Sequence, residues 1–146
     1  MTVNQVAFSE RRRQKAVKIA QVRIALAEDQ PDIRTTFVRL LEHLGHQVIC
    51  AASNGAELLD QCSGQQIDVA FVDLDMPVMD GLAAAQELAE QGIPVILVSG
   101  HPDAEEIVLE REPVVAYVSK PATLESLQSA IEQALAGVKD VPRRPK

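Results

Sequence analysis

The chain has 146 residues, of which 47% are hydrophobic and 24% are charged. This length and composition are typical of one globular domain and exclude a disordered or fibrous protein. No apolar run is long enough for a spanning helix, which excludes an integral membrane protein. The N-terminal residues carry charge without a following apolar stretch, so we exclude a secretory signal and expect a cytoplasmic protein. Cys50 and Cys62 lack metal-ligand spacing, and we interpret them as reduced core residues.

Charge is unevenly distributed around the net value of −7. Residues 1–21 and 137–146 are basic, whereas residues 22–136 are strongly acidic. An acidic body repels the phosphates of duplex DNA, so we expect no DNA-binding domain. The predicted organisation is a basic N-terminal extension (1–21), one folded domain (22–136) and a basic C-terminal tail (137–146), with both ends interpreted as solvated segments.

Strands and helices alternate along the folded body. After a first strand at 22–27, a helix begins at Pro31, carries an apolar stripe from Ile33 to Leu44 and ends at Gly45. Further strands are predicted at 47–51, 67–72, 94–98 and 114–118. Further helices are predicted at 56–62, 81–90 and 103–111 (short and weak), and a last one follows Thr123, its expected N-cap.

Five apolar strands separated by helices predict a parallel sheet covered on both faces. Right-handed crossovers leave few topologies, and we predict the doubly wound, flavodoxin-like α/β fold with strand order 2-1-3-4-5. In such a sheet, ligands bind outside the carboxyl ends of the strands. The side chains that follow each strand are therefore the candidates for a functional site.

Polar residues collect at these strand ends. Carboxylates after strands one and three would converge and repel one another, and a hard divalent cation with oxygen ligands, Mg²⁺, would relieve that repulsion. A hydroxyl and an ammonium beside them suit a phosphoryl group, and an aspartate there can act as nucleophile. In strand order the candidates are Glu28 and Asp29, then Asp73 and Asp75, then Ser99, then Lys120.

These residues resemble the receiver domain of response regulators in bacterial two-component signalling, over residues 22–136. The segment Asp73-Leu74-Asp75-Met76-Pro77-Val78-Met79-Asp80-Gly81 follows the family pattern D-x-x-M-P-x-M-D-G. The acid pair at 28–29, Ser99 and the segment Tyr117-Val118-Ser119-Lys120-Pro121 complete the resemblance. Two positions depart from the commonest pattern, because Glu28 stands where Asp is more frequent and Gly100 where Ala is common.

The resemblance implies a phosphorylation-controlled switch. Asp73 would accept a phosphoryl group from a histidine kinase or histidine phosphotransferase, and Lys120 would pair with that group. Ser99 would bind a phosphoryl oxygen and carry the switch, with Tyr117 as the rotating aromatic. The Mg²⁺ ligands implied are Glu28, Asp29, Asp73 and the backbone carbonyl of Asp75. A cis peptide before Pro121 is usual in the family.

Output is expected to pass through a downstream protein, since few residues follow the last predicted helix and the chain is interpreted as a stand-alone receiver. Whether it forms a homodimer is left open. We expect the protein to catalyse only its own phosphorylation and dephosphorylation and not to be an enzyme otherwise. The alternatives are a phosphoryl shuttle or sink, a haloacid-dehalogenase-like phosphatase built on Asp73 and Asp75, and a binding module with a vestigial site.

Each candidate also has a simpler interpretation. Ser99 alone would be a turn hydroxyl, Lys120 a solvated charge and Tyr117 edge packing. Asp80 is interpreted as a helix N-cap and not as a ligand. The three histidines lack metal-ligand spacing, and we expect all of them at the surface: His43, His46 and His101.

Overall fold

Parallel pairing of five strands produces the architecture seen in a computed structural model, which describes residues 21–74, 76, 81–101 and 114–140, with side chains to residue 136. The elements are β1 (Arg23–Ala27), α1 (Pro31–His43), β2 (Gln47–Ala52), α2 (Gly55–Cys62), β3 (Val69–Asp73), α3 (Gly81–Glu90), β4 (Val95–Ser99), β5 (Val114–Ser119) and α4 (Leu124–Asp140). The strand order is β2-β1-β3-β4-β5, and every neighbouring pair is parallel. The predicted topology is confirmed.

The sheet separates two apolar cores because alternate residues of each strand point to opposite faces. On β3, Val69 and Phe71 pack in the core beneath α1 and α4, whereas Ala70 and Val72 pack in the core beneath α2 and α3. β3 and β4 are buried along their whole length, as expected for central strands covered on both sides. This leaves only the strand ends for polar chemistry.

Helix boundaries follow local capping signals. Pro31 occupies the first turn of α1, and the Asn54 side chain caps α2 by accepting from the Glu57 amide at 2.8 Å. The predicted N-cap Thr123 is confirmed, since its hydroxyl accepts from the Ser126 amide at 3.0 Å. Cys50 and Cys62 are both buried and free. Burial raises the pKa of the Cys62 thiol to about 12, so this thiol is neutral near pH 7.

The chain leaves α1 through a left-handed glycine. Gly45 has φ +95°, its amide donates to the Glu42 carbonyl at 2.9 Å, and the His46 amide donates to the Leu41 carbonyl at 3.1 Å. This pair of bonds defines a Schellman motif, whose residue after the glycine packs back against the helix. α3 ends in the same way, and there Ile93 holds the equivalent buried position.

The motif corrects one expectation. His43 and His101 are exposed as predicted, but His46 is only 5% exposed. Its Nδ1 accepts from the Val22 amide at 3.1 Å, so Nε2 carries the proton and donates to Gln128 Oε1 at 3.1 Å. The prediction that His46 lies at the surface was wrong, because the turn places its ring against Val22, directly before β1.

Several strand boundaries differ by one or two residues from those predicted, most clearly for β3, which begins at Val69 instead of 67. The expected helix at 103–111, the N-cap at Asp80, most of the two basic ends and Asp75 lie outside the described residues. Within the described part of the chain, no helix is long and apolar enough to cross a membrane.

Candidate functional site

Three carboxylates meet where β1 and β3 end. Glu28 directly follows β1 and is 1% exposed, and Asp73 is the last residue of β3 and is 5% exposed. One carboxylate oxygen from each of Glu28, Asp29 and Asp73 can be chosen so that all three lie within 4.8 Å of one another. The predicted convergence is confirmed for these three acids, because β1 and β3 pair directly in the sheet.

Lys120 is the cation of this cluster. It follows β5, and its amide donates to the Ser99 carbonyl at 3.0 Å. Its Nζ lies 2.9 Å from Glu28 Oε1 and 3.4 Å from Asp73 Oδ2. Burial alone lowers the pKa of this ammonium, but the two carboxylates outweigh burial, and the net pKa is raised. Lys120 is therefore charged, and its shorter contact is with Glu28.

Within the described part of the chain, three carboxylates lie together, and the Lys120 ammonium forms ion pairs with two of them, Glu28 and Asp73. Apart from its ion pair with Lys120, the buried Glu28 Oε1 has no hydrogen-bond partner among the described residues. Carboxylates held this close together repel one another, and a bound divalent cation would relieve that repulsion. The donor set contains only oxygen, which suits Mg²⁺ and not Zn²⁺. The residues present thus fit a hard divalent cation.

Ser99 and Tyr117 lie together at the ends of β4 and β5. Ser99 is 1% exposed, and its hydroxyl oxygen accepts from the His101 amide at 3.0 Å. The half-buried Tyr117 donates its hydroxyl to the Ser99 carbonyl at 3.2 Å. The Ser99 carbonyl therefore accepts two hydrogen bonds, one from the Tyr117 hydroxyl and one from the Lys120 amide. These bonds connect β5 and the turn that follows it to the end of β4.

α3 begins in close contact with the end of β3. The Gly81 amide donates to the Leu74 carbonyl at 2.9 Å. A Cβ added at Gly81 would lie 2.7 Å from the Leu74 Cα and would also collide with the Asp73 carbonyl oxygen. Only glycine fits here without a backbone shift. Gly81 thus sets how closely the helix approaches the residue that carries the Asp73 carboxylate.

Most of the predicted site residues are brought to one edge of the sheet, namely Glu28, Asp29, Asp73, Ser99, Tyr117 and Lys120. The Lys120–Pro121 peptide is cis, as the resemblance implied. Sequence reasoning missed Arg34, whose Nη1 donates to the Glu28 carbonyl at 2.8 Å. Its position six residues after Glu28, in the first turn of a helix, is a signal that could have found it.

Comparison with known proteins assigns the chain to a family. The family described as response regulator receiver domain matches residues 24–132. The tetrathionate response regulatory protein TtrR of Salmonella typhimurium is 34% identical over 115 residues, which is 77% of this chain and 55% of TtrR. The transcriptional regulatory protein PdtaR of Mycobacterium tuberculosis is 27% identical over 82% of this chain and 59% of PdtaR. The chain thus spans little more than half the length of these relatives.

Solved structures match over most of both chains. A response regulator receiver domain protein from Clostridium thermocellum has a TM-score of 0.70 at 29% identity and covers 78% of this chain and 94% of its own. The signal receiver domain of a modulated diguanylate cyclase from Desulfovibrio desulfuricans G20 has a TM-score of 0.74 at 26% identity, covering 82% and 97%.

Proposed function

The chain belongs to the response regulator receiver domain family, and on that premise we propose that it is a signalling switch phosphorylated on Asp73. The donor is the phosphohistidine of a histidine kinase or histidine phosphotransferase, and the output is a change in binding to a downstream protein. The observation that carries this proposal is the contact of the buried Asp73 carboxylate with Lys120 at 3.4 Å, inside a three-carboxylate cluster.

Mg²⁺ is part of the proposal, because the acid cluster fits a hard cation. Glu28, Asp29 and Asp73 would hold it, together with the backbone carbonyl of Asp75, a residue outside the described part of the chain. When bound, the ion neutralises charge on the phosphoryl oxygens as they approach the carboxylates. The remaining chemistry belongs to the side chains of the protein.

In the transfer step, an oxygen of Asp73 forms a bond to phosphorus while the bond between phosphorus and the donor imidazole nitrogen breaks. The electron pair of the broken bond returns to the imidazole, and the product is an acyl phosphate. The charge on Asp73 changes from −1 to about −2. Lys120, held beside Asp73 by Glu28, supplies the opposite charge for the new phosphoryl oxygens.

We propose that Ser99 reports this change. Its hydroxyl would turn from the His101 amide, to which it now accepts, and donate to a phosphoryl oxygen. Tyr117 is bonded to the carbonyl of the same serine, so movement at Ser99 changes the position of the Tyr117 ring. This coupling of the site to the outer side of β5 is a two-state element that a partner can sense.

The test is to incubate the protein with acetyl phosphate and Mg²⁺ and to measure intact mass. We expect the wild type to gain the mass of one phosphoryl group and Asp73→Asn to gain none. Asp68→Asn, at the opposite end of the same strand, is the matched control and is expected to label like wild type. Equal labelling of Asp73→Asn and wild type would contradict the proposal.

A parallel assay addresses the enzyme alternative, using p-nitrophenyl phosphate as substrate. We propose that the chain turns over no exogenous phosphate ester, in line with a regulator that modifies only itself. Sustained turnover that is lost in Asp75→Asn would instead favour the haloacid-dehalogenase-like phosphatase. Transfer of the label from Asp73 to a second histidine protein would favour the shuttle.

A further inference from the structure

Arg34 reaches from α1 back to the turn that carries two of the three carboxylates. Its amide donates to the Gln30 carbonyl at 2.8 Å, which puts it in the first turn of the helix. Helical side chains point toward the helix N-terminus, and the half-buried guanidinium extends in that direction. Its Nη1 donates to the Glu28 carbonyl oxygen at 2.8 Å.

The other polar groups of Glu28 are already held. Its amide donates to the Ala52 carbonyl at 3.0 Å, and its Oε2 accepts from the Gln30 amide at 3.3 Å. Its Oε1 contacts Lys120 at 2.9 Å. The bond from Arg34 therefore acts on the remaining group, the carbonyl of the peptide that links Glu28 to Asp29.

That peptide determines where Asp29 points. A peptide unit is planar, so rotating the Glu28 carbonyl also moves the amide nitrogen and Cα of Asp29. The Asp29 carboxylate is the least buried of the three acids. The bonds described above fix the Glu28 side chain itself, and the hold on Asp29 comes through the peptide plane that Arg34 binds.

The charge of the Arg34 guanidinium also acts on the start of α2. The pKa of Glu57 is lowered, mainly because the Ser53 amide and hydroxyl donate to its carboxylate at 2.7 Å each, and to a smaller extent by the charge of Arg34. Arg34 thus donates to the Glu28 carbonyl and also acts electrostatically on Glu57 at the start of α2.

We propose that Arg34 is a positioning residue for the divalent-cation site, which holds the Asp29 carboxylate within reach of Glu28 and Asp73 by fixing the intervening peptide. The inference rests on the proposed function, since it concerns the same cation site. The direction of the change in cation affinity when Arg34 is neutralised tests it. A positive charge close to a cation site opposes cation binding, so charge alone requires tighter binding when Arg34 is neutralised, whereas positioning requires weaker binding.

The experiment is a titration of the metal-free full chain with Mn²⁺, followed by the electron paramagnetic resonance signal of free Mn²⁺, with Mg²⁺ as competitor. Loss of a group that orients a metal ligand typically weakens metal binding by 10- to 100-fold, so we expect Arg34→Met to bind about tenfold more weakly than wild type. Arg34→Lys keeps the charge and a donor but not the guanidinium geometry, and it is expected to lose less.

Arg39→Met is the matched control, because Arg39 is exposed on the same helix and loses the same charge. It is expected to bind Mn²⁺ as wild type does or slightly more tightly. Binding by Arg34→Met that equals or exceeds that of wild type overturns the inference and leaves the proposed function intact. If Arg34→Met does not fold, Arg34→Lys decides, and affinity equal to wild type overturns the inference. Failure of the wild type to bind Mn²⁺ overturns both proposals.

Discussion

Polar groups at the two ends of the sheet differ in the charges and hydrogen-bond partners around them. At the amino ends of the strands, the His46 ring is bonded on both nitrogens, to the Val22 amide and to Gln128. Beside it, Asp68 Oδ2 accepts from the Arg23 amide at 2.8 Å, and the Asp68 amide donates to the Arg23 carbonyl at 2.8 Å. The His46 ring and the Asp68 carboxylate are thus both hydrogen-bonded, as polar groups removed from water usually are.

At the carboxyl ends, acidic groups of like charge lie together. Glu28 and Asp73 are as buried as His46, yet they share one ammonium and stand close to a third carboxylate, Asp29. The like charges of these acids repel one another, and a bound divalent cation would relieve that repulsion. Burial of a polar group therefore does not by itself show whether that group stabilises the fold or belongs to a functional site. The balance of charge and donors around the group distinguishes the two ends.

The largest effect is expected from closing the space between α3 and the site. In Gly81→Ala the new methyl group meets backbone atoms of residues 73 and 74, which cannot move aside as a flexible side chain would. We expect the free energy of unfolding to fall by about 3 kcal/mol, measured by urea unfolding in the absence of divalent cations.

Gly100→Ala is the control within the same edge of the sheet. A Cβ at Gly100 would lie 3.8 Å from the Lys120 Cβ, an ordinary contact, and Gly100 is not among the glycines with positive φ. Alanine there should change stability by less than about 1 kcal/mol, in the stabilising direction. Equal destabilisation by both substitutions would show that the close approach at Gly81 is not the cause.

The amino end should respond to loss of its histidine. His46→Ala leaves the buried Val22 amide without its acceptor, and we expect a loss of about 2 kcal/mol in unfolding free energy. His43→Ala, which removes an exposed imidazole three residues earlier, is expected to leave the urea midpoint unchanged. A midpoint for His46→Ala that matches His43→Ala would contradict the role given to the network.

The smallest and most diagnostic effect compares the acids at the two ends of β3. Asp73→Asn removes one of the two carboxylates that form ion pairs with Lys120 and relieves repulsion among the three acids, while Lys120 keeps its shorter contact with Glu28. We therefore expect the metal-free protein to gain about 1 kcal/mol of stability. Asp68→Asn weakens a charge-assisted bond to the Arg23 amide and should lose about 1 kcal/mol. Urea unfolding in a chelator tests both, and shifts of the same sign would erase the contrast between the ends.

Much of this molecule follows from local residue patterns. Apolar runs, the helical stripe of α1, the first-turn Pro31 and the N-cap Thr123 depend on contacts within a few residues, so they could be predicted. The convergence of Glu28, Asp29 and Asp73 was also predictable, because in a parallel sheet every strand delivers its following residues to the same edge. The register of each strand end then decided which side chains face the site.

Tertiary structure decided what depends on partners far apart in the chain. His46 and Gln128 are 82 residues apart, and a residue pattern gives no sign of that contact, although the Gly45 turn indicates that the next residue packs inward. The shorter contact of Lys120 with Glu28 than with Asp73 also depends on partners far apart in the chain. So do the close approach of α3 to residue 73 and the hydrogen bond from Arg34 to the Glu28 carbonyl. Local sequence determines which groups reach the carboxyl edge of the sheet. Contacts between segments far apart in the chain determine how those groups share charge there.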